Sequence, residues 1–264
     1  MRKGFCLFVL LSFLAGCITY SPQFAPESVI SNVRRHTVSI ATYYIMDIEM
    51  YAKFMADNRM FVKYPVQIEG PKKCAAIIGA GTVLRDNHVV SVRHMFDDYY
   101  GIPPSKIYVF IQGHGHAVEA DVVCKSKAGT FYDDYAIIKL REKTHLPGLR
   151  IGEEQPKTGD RVIFTGSTGG FAFFSRFGHV AELRWYFRSD ERQVLHLTPF
   201  EQFSYMVTFP GGPGDSGGSI CNVKGELVGI MYCGLTNYSE EYIFANPLDM
   251  LKNFLRVNGL ENLI

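Results

Sequence analysis

Gly214-Asp215-Ser216-Gly217-Gly218 is the stretch on which the reading of this chain turns. A serine hydroxyl is a poor nucleophile until a base sits beside it, and an acyl-transfer intermediate needs hydrogen-bond donors aimed at its oxyanion. Glycines on both sides let the backbone turn tightly and direct N–H groups toward a substrate. Alone, such a pentapeptide is equally compatible with a surface turn; catalysis requires a base, and a group to orient it, elsewhere in the chain.

Upstream, Val89-Val90-Ser91-Val92-Arg93-His94 is an apolar run that ends in a histidine, preceded by the glycine-containing Gly79-Ala80-Gly81-Thr82-Val83-Leu84. Farther on, Asp134-Tyr135-Ala136-Ile137-Ile138-Lys139-Leu140 places a carboxylate just before another apolar strand. With the pentapeptide, these motifs resemble the chymotrypsin/trypsin superfamily, in which histidine, aspartate and serine follow one another in this chain order. Gly159-Asp160-Arg161-Val162, then Gly166, Gly170, Ser175, Gly178 and Val180, is similar to the start of the second barrel in bacterial Deg-type members. Tyr242 to Pro247 resembles their closing strand, so the likeness runs from about Thr37 to about Leu255, with Met46 to Pro71 poorly matched.

The resemblance implies an all-β fold of two six-stranded antiparallel β-barrels with a short C-terminal helix. It implies Ser216 as nucleophile, His94 as base and Asp134 as the acceptor that selects the histidine tautomer. It also implies an oxyanion hole formed by the N–H groups of Gly214 and Ser216. The expected reaction is two-step hydrolysis of a peptide bond through an acyl-enzyme, with a protein or peptide as substrate. No metal or cofactor is implied. Asp133 is adjacent, but strand register favours Asp134. Arg93 stands where the family usually has alanine, and a bulky charge there must point away from the base. His88, in a turn, and His114 and His116, in Gly113-His114-Gly115-His116, are read as loop histidines, because no carboxylate or cysteine stands at metal-ligand spacing from them.

Specificity is expected from two walls, Phe209 to Pro213 and Met231 to Gly234, with Tyr232 and Gly234 facing the pocket. Pro210 falls where trypsins carry the aspartate that selects basic residues, which predicts no preference for Arg or Lys. Tyr242 is expected to intrude and to favour small or medium apolar groups. Digestive relatives pair the aspartate before the serine with a freed N-terminus. No matching cleavage site occurs here, so Asp215 is expected to be satisfied differently. The chain ends at Ile264, too soon for the peptide-binding domain of many Deg-type relatives.

The N-terminus follows another grammar. Arg2 and Lys3 precede an uncharged run from Phe5 to Ala15, which suits a secretory signal and is short for a membrane span. Leu14-Ala15-Gly16-Cys17 resembles the lipobox of bacterial lipoprotein precursors. That resemblance implies a signal over residues 1–16, cleavage before Cys17, and acylation that anchors the exported chain to a membrane of the cell envelope. Ile18 lacks the aspartate of inner-membrane retention, which favours the outer membrane. Residues 17–35 are read as a tether, and 36–264 as the two-barrel domain with a boundary near 145–160. After Cys6 and Cys17, Cys74, Cys124, Cys221 and Cys233 remain, and in an exported protein they allow three pairings. A two-residue turn at Lys224-Gly225 would put Cys221 opposite Val228, which argues against a simple Cys221–Cys233 cross-strand bridge.

The chain has 264 residues, with 27 Lys+Arg against 26 Asp+Glu, and this balance without a basic run disfavours nucleic acid. Short apolar runs split by Gly, Pro, Asn and Asp predict strands over Thr37–Tyr44, Ala75–Leu84, Val89–Val92, Ile107–Gln112, Ala117–Cys124, Tyr135–Leu140, Arg161–Phe164, His179–Tyr186, Gln193–Leu197, Ser219–Asn222, Glu226–Tyr232 and Tyr242–Ala245. Met46 to Phe61 reads as an insertion, helix or strand. Asn246-Pro247 reads as an N-cap and first turn, with Leu248, Leu251, Phe254 and Leu255 on one helical face. The alternative to an enzyme is a silent member of the fold that binds peptides or a partner protein. An esterase elbow would need histidine last in chain order, which fails here.

Overall fold

In the computed structural model, residues 25–57, 72–127, 133–170, 172–182, 205–208, 211–235 and 242–264 are described. Strand β1 (Thr37–Met46) pairs along its whole length with β2 (Lys73–Val83), from Thr37 opposite Thr82 to Met46 opposite Lys73. The other side of β1 pairs with β4 (Lys106–Ile111), and β5 (Val118–Lys125), β6 (Ala136–Leu140) and β3 (His88–Ser91) complete the circuit. The order β1-β2-β3-β6-β5-β4 closes on itself as a six-stranded antiparallel barrel. Closure pairs every strand of the barrel on both sides, so the sheet has no free edge strand.

A second closed barrel, β10-β11-β12-β9-β8-β7, is built from β7 (Arg161–Thr168), β8 (Ala172–Glu182), β9 (Tyr205–Thr208), β10 (Ser219–Asn222), β11 (Leu227–Leu235) and β12 (Tyr242–Pro247). The expected all-β, two-barrel architecture is therefore observed. β7 and β8 are longer than the pattern suggested: they pair continuously from Arg161 opposite His179 to Thr168 opposite Ala172. The predicted strand over Gln193–Leu197 lies outside the described residues.

Between the barrels the walls touch. The first six residues of β1 are buried on both faces, inward to its own core and outward toward the second barrel. Thr37 Oγ1 and Ser219 Oγ lie 3.1 Å apart across this junction, one hydroxyl donating to the other.

Among the described residues, three α-helices flank the barrels. Part of the expected tether is ordered differently: Glu27–His36 forms helix α1, with Ile30, Val33 and His36 buried. Val29 and Val33 of this helix press against Gly225 in the β10–β11 turn. Burying that stripe offsets the entropy of ordering a segment whose composition reads as polar. The Met-rich insertion begins as helix α2 (Ile48–Asp57), and Phe54 is fully buried with its ring 5.7 Å from Tyr44 and 5.2 Å from Tyr99. Helix α3 (Leu248–Val257) buries the four predicted residues Leu248, Leu251, Phe254 and Leu255.

Two local expectations are corrected. Asn246 is not the cap of α3: it belongs to β12, and Pro247 precedes the helix without a side-chain cap. Cys221 faces Leu227 rather than Val228, because a bulge between Ile220 and Cys221 shifts the register by one. Cys74, Cys124, Cys221 and Cys233 are all free thiols.

Candidate active site

His94 sits in a 3-10 turn, Arg93–Phe96, that begins just past the end of β3, so an apolar strand delivers it to the barrel junction. Asp134 lies two residues before the start of β6, the strand that pairs with β3 from His88 opposite Lys139 to Ser91 opposite Ala136. That register carries both residues to the same end of the first barrel. The carboxylate holds the histidine twice. His94 Nδ1 is 2.6 Å from Asp134 Oδ2, and the His94 main-chain N–H donates to Oδ1 at 2.9 Å. Asp134 is 4% exposed, whereas the His94 side chain is 31% exposed: an acceptor kept dry beneath an imidazole whose outer edge is open.

Asp134 is itself fixed from behind. The buried Asn246 amide donates from Nδ2 to the Asp134 carbonyl at 3.0 Å. Tyr135 OH donates to Pro247 O at 2.7 Å, and its ring stacks on Phe254 at 5.5 Å. The second barrel and α3 therefore position a carboxylate that belongs to the first. Arg93 runs along the same group: Nη1 bonds Asp97 Oδ2 at 2.6 Å while Nε lies 3.8 Å from Asp134 Oδ1. Its charge is spent on two carboxylates. Neighbouring Asp133 has its carboxyl pushed up by burial, with the Arg93 charge opposing.

The Gly212–Gly218 loop comes from the second barrel and lies against the first. Ala80 N donates to Ser216 O at 2.7 Å, and Gly217 N donates to Met231 O at 2.8 Å. Gly214 and Gly217 take φ of 97° and 89°, values that only glycine adopts without strain. A Cβ on Gly214 would stand 2.5 Å from Ser167 O, and one on Gly217 would collide with Ala80 O. The loop is thus threaded between two walls of backbone. No acceptor among the described residues takes the Gly214 or Ser216 N–H. Among the described residues no hydrogen bond joins His94 to the Ser216 hydroxyl either; the loop and the histidine share β2 and the β3 end as common walls.

The loop is fixed by partners far from it in sequence. Asp215 is fully buried, and its carboxylate accepts from Arg176 Nη1 at 2.9 Å, Thr168 Oγ1 at 2.7 Å and Gly212 N at 3.0 Å. Arg176 Nη2 also donates to Thr168 Oγ1 at 2.6 Å, and Gly169 N donates to Pro213 O at 2.8 Å. Asp215 is satisfied by an internal cation on the β7–β8 hairpin. Nothing near Arg176 in the chain advertises this, since the partners are 39 residues apart.

Of the expected pocket residues, Tyr232 is buried beside Phe244, with ring centroids 6.4 Å apart, and Gly234 pairs with Ile243. Gly211 abuts Ile243 and Met231, so this side of the loop is apolar. Tyr242 is in β12 opposite Leu235, with its side chain outside the described set; Pro210 and Cys17 lie outside the described residues.

Two closed barrels with a histidine–aspartate pair at their junction and a Gly-Asp-Ser-Gly-Gly loop beside it define a trypsin-type two-barrel protein. The chain belongs to the trypsin-like peptidase domain family, whose profile matches residues 79–230. Among curated proteins, it is similar to a probable periplasmic serine endoprotease, DegP-like, of Chlamydia pneumoniae, 28% identical over 175 residues, covering 66% of this chain and 32% of that protein. A protein of the same description from Buchnera aphidicola is 29% identical over 181 residues, covering 67% and 35%. The chain spans about a third of the length of these relatives. Among solved structures, the active form of the Rv3671c protease from M. tuberculosis superposes with a TM-score of 0.62 at 18% identity, covering 90% of this chain and 87% of that one. The HtrA-type protease AlgW with a decapeptide gives 0.62 at 16%, covering 87% and 66%. At such identities the likeness concerns the fold.

Proposed function

We propose that this protein is a serine endopeptidase in which His94, Asp134 and Ser216 form the catalytic triad. The observation that carries the reading is the double grip of Asp134 on His94, through Nδ1 at 2.6 Å and the main-chain N–H at 2.9 Å. A carboxylate on Nδ1 leaves Nε2 as the basic nitrogen and stabilises the imidazolium that forms when it takes a proton. His94 Nε2 accepts the Ser216 proton as Oγ attacks the peptide carbonyl, and the Gly214 and Ser216 N–H groups receive the oxyanion. The imidazolium then protonates the departing amine as the C–N bond breaks, leaving an acyl-serine. Water, deprotonated by His94, attacks that ester; Ser216 leaves with the proton, and the acid product is released.

The substrate is a protein or peptide, and the apolar surroundings of Gly211, Met231 and Ile243 support an apolar residue before the scissile bond. Pro210 stands where trypsins carry the aspartate that binds basic residues, so the reading includes no strong preference for Arg or Lys. Export and acylation at Cys17 would hold the enzyme on the cell envelope. A mixed peptide pool digested by the wild type and by Ser216→Ala, read by mass spectrometry, tests the reading. Cuts after small or medium apolar residues that vanish in the variant support it; equal cutting by both proteins excludes Ser216 as nucleophile.

A further inference from the structure

Spacing along the chain offers no carboxylate to the histidines of Gly113-His114-Gly115-His116, yet the fold supplies one. β5 runs antiparallel to β6 with Ala120 opposite Leu140, and the pairing continues one step as Arg141 N donates to Glu119 O at 2.9 Å. That register brings Glu142, the next residue, to the barrel end where the β4–β5 turn lies. His116 Nε2 and Glu142 Oε2 are 2.9 Å apart, and the His114 and His116 rings are 4.8 Å apart between centroids. One ligand atom from each of His114, His116 and Glu142 can be chosen so that all three lie within 4.8 Å of one another.

The backbone beneath the histidines is held. His114 N donates to Ile111 O at 3.0 Å, and Gly113 takes φ 79°, as the third residue of a tight turn does. The neighbouring cation is engaged elsewhere: Arg141 pairs with Asp121 at 2.7 Å and with Glu119 at 2.9 Å, leaving Glu142 to the histidines.

We propose that His114, His116 and Glu142 form a site for a divalent late transition-metal ion, zinc being the probe of choice. Two imidazoles and one carboxylate are a ligand set that zinc takes, with water as the fourth ligand. In a tetrahedral site with bonds of about 2.0–2.2 Å, ligand atoms stand roughly 3.3 Å apart. The ligand atoms lie within 4.8 Å of one another, near that spacing, and His116 and Glu142, at 59% and 56% exposed, have solvent around them in which to adjust. The site lies at the end of β6 opposite Asp134, so the metal clips the β4–β5 turn to the β6 terminus and takes no part in peptide hydrolysis. The turn and strand end it joins are 26 residues apart between His116 and Glu142.

The test is zinc titration of the full chain by calorimetry, with metal content counted after dialysis, for the wild type, His114→Ala/His116→Ala, Glu142→Gln and the control His145→Ala. One zinc per chain is expected in the wild type and the control, with binding at least about tenfold weaker in each ligand variant. Zinc should also raise the thermal midpoint of the wild type, reversibly with chelator, and leave that of the double variant unmoved. Equal zinc affinity in wild type and double variant, or no zinc retained by the wild type, would overturn the proposal. The midpoints without zinc show whether each variant is folded.

Discussion

Arg176 and Asp215 form a buried ion pair, Nη1 to Oδ2 at 2.9 Å, with the carboxylate side chain fully shielded and the arginine 23% exposed. The pair ties the loop that carries Ser216 to the β7–β8 hairpin, and Thr168 bridges both partners. The loop's geometry thus depends on a cation supplied from inside the folded domain.

Removing that cation should cost more than the pair is worth, because it strands a charge. Arg176→Met is expected to lower stability by about 3 kcal/mol, measured by urea unfolding. The double change Arg176→Met/Asp215→Asn should recover much of that loss. Probe labelling of Ser216 should slow at least about tenfold in the single variant. A single variant as stable as the wild type would show that the pair does not anchor the loop.

Gly214 combines a left-handed backbone with a wall 2.5 Å from where a Cβ would be. Gly214→Ala is expected to cost about 1–3 kcal/mol from backbone strain and, if the proposed oxyanion hole holds, to abolish hydrolysis by displacing one of its two proposed donors. Gly159→Ala, which meets open space at φ 89°, is the comparison: strain without a collision, with activity kept. Steady-state hydrolysis and thermal midpoints of both variants separate the two effects.

Asn246 reaches Asp134 from the other barrel. Asn246→Ala leaves the buried Asp134 carbonyl without its donor, a loss of about 1–3 kcal/mol. The larger consequence is for the carboxylate that grips His94: turnover should fall at least about tenfold with the substrate's KM little changed. A variant that is destabilised but turns over normally would make Asn246 a structural residue only.

Burial lowers the pKa of His36 and of His88 below the ordinary 6.5. Between those lowered folded values and about 6.5 the unfolded chain binds more protons than the folded one. Their contribution to stability is therefore complete above that window and is lost as pH falls through it. The buried Asp133 carboxyl, pushed up, acts in the opposite sense at lower pH. The thermal midpoint should drop between about pH 7.5 and about pH 5, and by less in His36→Gln/His88→Gln. An identical drop in that variant would assign the acid sensitivity to other groups.

The legible parts of the molecule are those written locally. Alternation and turn residues mark most strands, and the glycines of Gly214 to Gly218 mark positions where a side chain has no room. Asp134 is legible because the apolar strand β6 begins two residues after it. Illegible are the features that only closure of the barrels creates. Asn246 has the chemistry of a helix cap, but its amide goes to Asp134, a partner 112 residues away. Arg176 looks like any polar position of β8 until Asp215 arrives beneath it. Helix α1 hides in a polar segment, because its apolar residues are few and their value depends on the surface that receives them. His114, His116 and Glu142 are separated by a whole hairpin that the register of β5 and β6 folds away.

Whether Ser216 is an activated nucleophile is read out by fluorophosphonate labelling of the folded chain. The wild type should label on Ser216, and labelling should be lost in Ser216→Ala and in His94→Ala. Asp134→Asn should react on the order of ten-thousandfold more slowly. A folded wild type that does not label, or that labels equally in the His94→Ala variant, would contradict activation of Ser216.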